Sequence, residues 1–169
     1  IYNPFKEIEK MGTISVNKLG GLALIIGPVL TVVLFFLQPG GAIIDAADPA
    51  SAQETISAMV SNAGLSKLTS TLIPIGLLIF LFGIVVVKEN INKSGNGEAL
   101  SRIGVLFILI GVIGWVISLG TSLAIAGSGL PAEQVVGTFA SLYSATLGIG
   151  TVAGLLAGIG FLALTLGVS

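Results

Sequence analysis

Long runs without a charged side chain dominate the hydrophobic pattern of this chain. Four of them cover residues 19–44, 68–87, 103–132 and 134–169. Each run can supply the roughly 20 apolar residues that cross the hydrocarbon core of a bilayer. The pattern therefore predicts four transmembrane helices, at about residues 17–38, 66–88, 100–126 and 142–168.

Two connections between these spans carry shorter helical patterns. At residues 49–62, Asp48 is placed to cap a helix and Pro49 to occupy its first position. Residues 131–141 repeat this arrangement from Pro131 and lie close enough to the fourth span to continue into it. Apolar residues recur at helical spacing in both segments, so we expect two amphipathic helices on the outer membrane surface.

The two halves of the chain are similar in sequence. VNKLGGLALIIGPV, which starts at Val16, aligns with LSRIGVLFILIGVI, which starts at Leu100. At the same offset IGLLIFLFGIV from Ile75 aligns with IGFLALTLGVS from Ile159, although glycine and apolar residues also match by coincidence in membrane sequences. Two spans per half give both halves the same orientation. The expected fold is an all-α integral membrane protein, with four transmembrane helices as two tandem, parallel helical hairpins and a short amphipathic helix on the outer face of each.

This duplication divides the chain into four segments. They are a polar N-terminal segment at 1–15, a first two-helix repeat at 16–89, a cytoplasmic loop at 90–99 and a second two-helix repeat at 100–169. We assign no function to residues 1–10.

The distribution of basic residues predicts the orientation. Six of the seven lysines and arginines fall on one side of the four-span arrangement, and only Lys67 falls on the other. Because positive charge is enriched in cytoplasmic loops, both termini are expected in the cytoplasm, with the protein in a prokaryotic plasma membrane. The six are Lys6, Lys10, Lys18, Lys88, Lys93 and Arg102.

Composition removes several classes of function. The chain has no cysteine and no histidine, which excludes disulfides and the usual zinc, copper and haem ligands. Only 9% of the residues are charged, the net charge is −1, and no ionisable group lies deep in a span. Proton relays and coupled transporters usually need such groups. We therefore expect no catalytic residue, no metal ligand, no cofactor other than a bound lipid, and no nucleic-acid partner.

Small residues in the fourth span give the sharpest candidate site. Gly150, Gly154 and Gly158 recur every four residues, with Ala153 and Ala157 beside them. This spacing creates a flat groove that another helix can approach closely. The covering helix would be either a span of the same bundle or part of another chain.

A few polar side chains within the spans are also candidates for function. Lys67, at the outer edge of the second span, is expected to extend to the headgroups and is a candidate contact for an anionic lipid or an acidic partner. Hydroxyls such as those of Thr31 and Ser118 are expected to bond within or between helices, with a polar permeation path as the alternative. Trp115, deep in its span, is expected to fill space in the bundle.

Three functional hypotheses fit these features. The leading one is a non-catalytic accessory or structural subunit of a larger membrane complex, or a self-associating scaffold, because the interior is apolar and rich in small residues. The alternatives are a small channel or carrier for neutral or apolar solutes, and a membrane helper that binds a lipid or a quinone. The expected partners are membrane lipids and other membrane subunits or copies of the same chain.

Overall fold

A computed structural model describes residues 14–94 and 97–168; residues 1–13, which include most of the polar N-terminal segment, lie outside the described part. Within that part the secondary structure is entirely helical, without strands. The helices are α1 (Val16–Phe36), α2 (Ala52–Ser61), α3 (Ala63–Ser94), α4 (Glu98–Gly127) and α5 (Ala132–Val168).

Four of these helices, α1, α3, α4 and α5, are long and apolar enough to cross a membrane, which confirms the prediction of four such segments. Their outward faces carry large apolar side chains: Ile25 and Val29 on α1 are 65% and 59% exposed, and Leu155 and Leu162 on α5 are 64% and 68% exposed. Apolar surface of this extent is unusual on a soluble monomer and typical of a surface that contacts lipid.

Hydroxyl side chains define the beginnings of the first two helices. Ser15 caps α1 by accepting a hydrogen bond from the Lys18 amide at 3.3 Å. At α2 the cap is Ser51, which accepts from the Glu54 amide at 3.3 Å, rather than the expected Asp48. Asp48 instead accepts from the Ala50 amide in a short turn, and its own amide donates to the Glu54 carboxylate at 3.2 Å.

The second expected outer helix and the fourth span form one continuous helix. The Pro131 carbonyl accepts hydrogen bonds from the Gln134 and Val135 amides at 3.0 Å, and α5 then runs without a break to Val168. In the first half, α2 and α3 are separated at Asn62, whose backbone leaves the helical conformation.

The helices pack as a chain of neighbours. The helix α1 packs against α3, α3 against α4, and α4 against α5. The short helix α2 lies at one end of this arrangement, mainly on α5, and this end is called the α2 end below. The apolar side of α2 is covered by protein, since Ile56 and Met59 are buried together with Ile125, Val135 and Tyr143.

Glycines permit the closest helix contacts. A Cβ added to Gly27 of α1 would lie 2.5 Å from the Phe80 amide nitrogen of α3, and one added to Gly104 of α4 would lie 2.7 Å from the Gly160 carbonyl of α5. No side chain fits in such spaces without moving backbone. These contacts hold α1 firmly to α3 and α4 firmly to α5.

Candidate functional site

A cleft opens between α1 and α5 at the α2 end of the bundle. Among the described residues, these two helices make no close backbone contact with each other. The space between them has a volume of about 640 Å³. It is bounded by Thr31 and Phe35 on α1, Leu77 on α3, Trp115 and Leu119 on α4, and Tyr143, Thr146 and Gly150 on α5. We refer to this space as the α1–α5 cleft.

The segment between α1 and α2 covers the cleft at the α2 end. Gln38 and Pro49 come from this segment, and Thr55 and Met59 come from α2. A hydrogen bond of 3.1 Å from the Tyr143 hydroxyl to the Pro49 carbonyl ties this cover to α5. The cleft is thus lined by protein at the α2 end, while α1 and α5 stand apart along its side.

Most hydroxyls around the cleft are already engaged with backbone carbonyls. Ser118 of α4 donates to Gly114 of its own helix at 3.1 Å and is also placed at 3.2 Å from the Thr146 carbonyl of α5. Thr146 donates to the Tyr143 carbonyl at 2.7 Å. Thr31 differs, because its buried hydroxyl oxygen has no hydrogen-bond partner in the described part of the chain. It lies against Gly76, where an added Cβ would come within 2.5 Å of it.

The cleft is lined without charge. The described lining residues include no aspartate, glutamate, lysine or arginine, and the polar groups are amides and hydroxyls. Its walls are otherwise aliphatic or aromatic. Trp115, the one tryptophan of the chain, lines the cleft. The sequence predicts that this side chain fills space inside the bundle, whereas the space beside it is partly open.

The predicted small-residue face of α5 lies partly along this cleft. Gly150 lines it, and a Cβ added there would be 3.8 Å from the Ser118 hydroxyl. At Gly154 an added Cβ would be 3.9 Å from the Trp115 ring, and at Gly158 it would meet nothing within 4 Å.

The neighbouring alanines of that face have different surroundings. Ala153 and Ala157 are 3% and 1% exposed. They pack against α4, where a Cβ added to Gly111 would lie 2.7 Å from the Ala153 carbonyl and 2.9 Å from the Ala157 side chain. The five residues thus lie on two adjacent faces of α5, with the alanines against α4 and the glycines turned toward the cleft and the surface.

Lys67 lies away from the cleft. Its side chain is exposed near the end of α4, where a Cβ added to Gly127 would be 3.9 Å from the lysine Cε atom. Carbonyl groups at the C-terminus of a helix attract a positive charge. Lys67 is therefore placed to interact with the end of α4 as well as with a molecule at the surface.

A second depression lies on α5 across from the cleft. It has a volume of about 370 Å³ and is lined by apolar residues alone, among them Gly148, Val152 and Ile110. An added Cβ at Gly148 would meet nothing within 4 Å. This depression has no polar group to orient a ligand, which makes it a useful reference for the cleft.

The cleft has only a weak signal in the sequence. Gln38, Tyr143 and Thr146 are ordinary polar residues near span ends, and no motif connects them. The fold brings them together because α1 packs along α3 while α5 packs along α4, so that α1 and α5 face each other across the cleft. No family model matches the chain, and no curated protein or solved structure matches it either. The features on which a function can be argued are therefore those of a helical protein suited to a membrane, with one uncharged cleft between two of its long helices.

Proposed function

We propose that this chain is a non-catalytic membrane protein that holds a molecule of lipid class in the α1–α5 cleft. The observation that carries the proposal is the cleft itself: a mainly apolar space between two long helices whose polar lining groups are all neutral. Its volume of about 640 Å³ falls within the roughly 300–1,000 Å³ of small-molecule sites. Since the described parts of α1 and α5 make no close backbone contact, a molecule could enter sideways from the bilayer.

The length of the cleft favours a hydrocarbon chain over a helix of another protein. Along α5 the cleft runs from Tyr143 to Thr151, which is about 12 Å at the rise of an α-helix. A helix that crosses the membrane is about 30 Å long, so the cleft would contact less than half of it. An apolar chain can lie within the cleft over its whole length.

The proposed orientation places the α2 end of the cleft outside. Both termini are cytoplasmic in this arrangement, and the membrane is a prokaryotic plasma membrane. The positive-inside distribution supports it: Lys18, Lys88 and Arg102 lie at one end of the long helices and Lys67 at the other. In this orientation α2 is an amphipathic helix on the outer face, with Ile56 and Met59 turned toward the protein and Glu54 toward water.

The two helix pairs are proposed to be tandem, parallel repeats. A Cβ added to Gly83 would approach the Gly20 carbonyl at 2.9 Å and the Leu24 side chain at 2.7 Å. A Cβ added to Gly160 would approach the Gly104 carbonyl at 2.6 Å and the Ile108 side chain at 2.7 Å. Gly104 and Ile108 follow Gly20 and Leu24 at the offset of the sequence match, which pairs Val16 with Leu100.

For the second helix of each pair the contacts favour a shorter offset. By its contacts Gly160 corresponds to Gly83, whereas the sequence match aligns Gly160 with Gly76. Gly76 and Gly83 are about two helical turns apart on α3. The buried threonines Thr69 and Thr146 are separated by the same distance in sequence as Gly83 and Gly160. We therefore propose that α5 is equivalent to α3 after a shift of two turns.

Such a duplication supports a functional role for the α1–α5 cleft. If α4 is equivalent to α1 and α5 to α3, then the packed α3–α4 contact is equivalent to the α5–α1 position. That position is occupied by the cleft instead of by a helix contact. An occupant of the cleft would complete the bundle at the place where its internal symmetry is broken.

The test of this proposal uses matched leucine substitutions on α5. Gly150→Leu adds a side chain at a residue that lines the cleft, and its Cβ would lie 3.8 Å from the nearest neighbour, the Ser118 hydroxyl. Gly148→Leu adds the same side chain to the apolar depression across the helix. Native mass spectrometry of gently solubilised protein should show a retained lipid-class molecule in the wild type and in Gly148→Leu, and at least a tenfold loss in Gly150→Leu. Equal retention in all three proteins, or none in the wild type, would contradict the proposal.

The second candidate function is the accessory or self-associating membrane subunit. The observation that favours it is Gly158, which continues the glycine face of α5 yet meets nothing within 4 Å in this chain. A flat glycine surface in a membrane is a favourable place for a helix of another subunit. Stoichiometric co-purification with another membrane chain, or a stable oligomer, that is lost in Gly158→Leu and kept in Gly148→Leu would support this function. A monomer in both the wild type and Gly158→Leu would contradict it.

A further inference from the structure

We infer that the molecule held in the α1–α5 cleft carries an uncharged hydrogen-bonding end, such as a hydroxyl or a carbonyl, and that this end lies beside Gln38. This inference rests on the proposed function and adds the chemical class of the ligand. It distinguishes neutral single-chain lipids and isoprenoid-type alcohols or quinones from phosphate-headed, carboxylate-headed or amine-headed lipids.

Gln38, Thr55 and Tyr143 line the α2 end of the cleft, together with the backbone around Pro49. Farther along the cleft, the hydroxyls of Ser118, Thr146 and Thr151 donate to helix carbonyls, and the Thr31 hydroxyl lies against Gly76 of α3. Tyr143 uses its proton to bond the Pro49 carbonyl, so its oxygen keeps the capacity to accept a hydrogen bond. The Gln38 amide can both donate and accept. These groups can satisfy a hydroxyl or a carbonyl, and the ligand's polar end is therefore placed here.

The remainder of the cleft suits an apolar tail, because most of its surface is apolar and the protons of Ser118 and Thr151 are donated to backbone carbonyls. Leu77, Trp115 and Leu119 form its back, and Gly150 leaves the α5 side open. A chain anchored at Gln38 would extend along this wall toward the middle of the bundle. The tail would then contact Trp115 directly, because the tryptophan lines the same space.

An anionic end is disfavoured by two features. The described lining residues provide no cation to neutralise it, and an unpaired charge is strongly disfavoured in an apolar site. In addition, the acidic residues Asp48 and Glu54 lie beside the cover, where Asp48 contributes the carbonyl that accepts the Thr55 hydroxyl. Lys67 cannot compensate for them, since it lies at the end of α4 near Gly127.

A cationic end is disfavoured as well. Asp48 and Glu54 use carboxylate oxygens to accept backbone amides, from Ala50 and Asp48 respectively, and the described cleft lining itself contains no carboxylate. An ammonium group beside Gln38 would thus be desolvated without a paired charge. A neutral polar end has no such requirement.

Trp115 provides a direct assay, since it is the one tryptophan of the chain and lines the cleft. The probes are brominated monoacylglycerol, the lysophosphatidic acid with the same brominated chain, and the matching long-chain amine, each titrated into detergent-solubilised protein. Bromine quenches tryptophan at contact. We expect the neutral probe to quench at a concentration about tenfold lower than either charged probe. Gly150→Leu should abolish this difference, and Gly148→Leu should leave it unchanged.

A charge introduced at Gln38 tests the position of the polar end. Gln38→Lys should reverse the preference toward lysophosphatidic acid, since a cation then faces the ligand's polar end. Gln53→Lys adds the same charge on exposed α2 outside the cleft lining and should leave the preference for the neutral probe intact.

The possible results separate the two proposals. Equal quenching by neutral and charged probes that is still lost in Gly150→Leu would overturn the neutral-end inference and keep the cleft as a lipid site. A preference for either charged probe would overturn it too. Quenching that is unaffected by Gly150→Leu would reject the cleft as the site altogether.

Discussion

The Tyr143 hydroxyl donates a hydrogen bond to the Pro49 carbonyl at 3.1 Å, across 94 residues of sequence. Tyr143 is only 7% exposed, and its ring packs in the cluster that joins α2 to α5. One side chain thus connects the two halves of the chain at the α2 end. It also holds the segment that covers the α1–α5 cleft.

Removing this hydroxyl should loosen the cover without unfolding the bundle. In Tyr143→Phe the ring still fills its place, while the Pro49 carbonyl loses its donor, and a lost hydrogen bond of this kind destabilises by about 0.5–1.5 kcal/mol. We expect hydrogen exchange in residues 40–51 to accelerate severalfold, as measured by mass spectrometry in detergent. Ser144→Ala is the control, because Ser144 is exposed and bonds only its own helix. Unchanged exchange in Tyr143→Phe would show that the cover is held by other contacts.

The contact of Gly27 with α3 predicts a large effect of one methyl group. In Gly27→Ala the new Cβ would lie 2.5 Å from the Phe80 amide nitrogen and 2.8 Å from the Gly76 carbonyl, so backbone must move. Overpacking of this kind destabilises by about 1–3 kcal/mol. Gly21→Ala is the matched control, since an added Cβ there meets nothing within 4 Å. Thermal unfolding in detergent should show a lower midpoint for Gly27→Ala and an unchanged or higher one for Gly21→Ala; equal midpoints would contradict the close packing of α1 on α3.

The proposed duplication predicts which residues are energetically coupled. A methyl group at Gly160 would collide with the Ile108 side chain, as one at Gly83 would with Leu24. Ile108→Ala should therefore recover part of the stability lost in Gly160→Ala, with a coupling energy of about 0.5–3 kcal/mol in a double-mutant cycle. Leu24→Ala should do the same for Gly83→Ala.

The alternative alignment makes a different prediction for the same cycle. If the offset of the sequence match held throughout, Gly167 rather than Gly160 would be equivalent to Gly83. Gly167 approaches Ser101 and Leu100, not Ile108. Coupling of Ile108→Ala with Gly167→Ala, and none with Gly160→Ala, would therefore reject the two-turn shift.

The surroundings of Gly154 predict a spectroscopic change. In Gly154→Leu a side chain grows from a Cβ position 3.9 Å from the Trp115 ring, so the ring must share its space or move. The emission maximum of this single tryptophan should shift by several nanometres. Gly158→Leu, one turn further along α5 in open space, should leave the emission unchanged. A shift of the same size in both variants would mean that the fluorescence reports general loosening of the bundle rather than this contact.

The four long helices could be predicted from the sequence because absence of charge over some 20 residues is a local property. The ends of helices are harder to predict, because neighbouring residues compete to cap them. Asp48 and Ser51 are both good capping residues, and the fold uses Ser51 while the Asp48 side chain accepts from the Ala50 amide instead. Asn62 interrupts the first half while the second half continues as one helix. The first half has a longer stretch between Pro49 and Thr69 than the second has between Pro131 and Thr146, and the break accommodates the extra length.

The cleft could not be predicted in this way. It depends on α1 and α5 being held by different neighbours, so it is a property of residues at opposite ends of the chain. The spacing of small residues in α5 also predicts a single packing face, although the glycines and the alanines lie on two adjacent faces of the helix. A step of one residue turns the helix by about 100°, which separates Gly154 beside Trp115 from Ala153 against Gly111. Choosing between them requires the position of α4.

The proposed orientation can be tested cleanly because the chain contains no cysteine, so each introduced thiol is the only one present. Gln53→Cys on α2 and Glu89→Cys near the other end of α3 are both exposed positions. In intact cells a membrane-impermeant maleimide should label the first and not the second, because positive charge is retained on the cytoplasmic side. Permeabilised cells should label both, which controls for reactivity. If only Glu89→Cys is labelled in intact cells, the orientation is the opposite of the one proposed. The α2 end of the α1–α5 cleft, with Gln38 and Tyr143, would then lie on the cytoplasmic side.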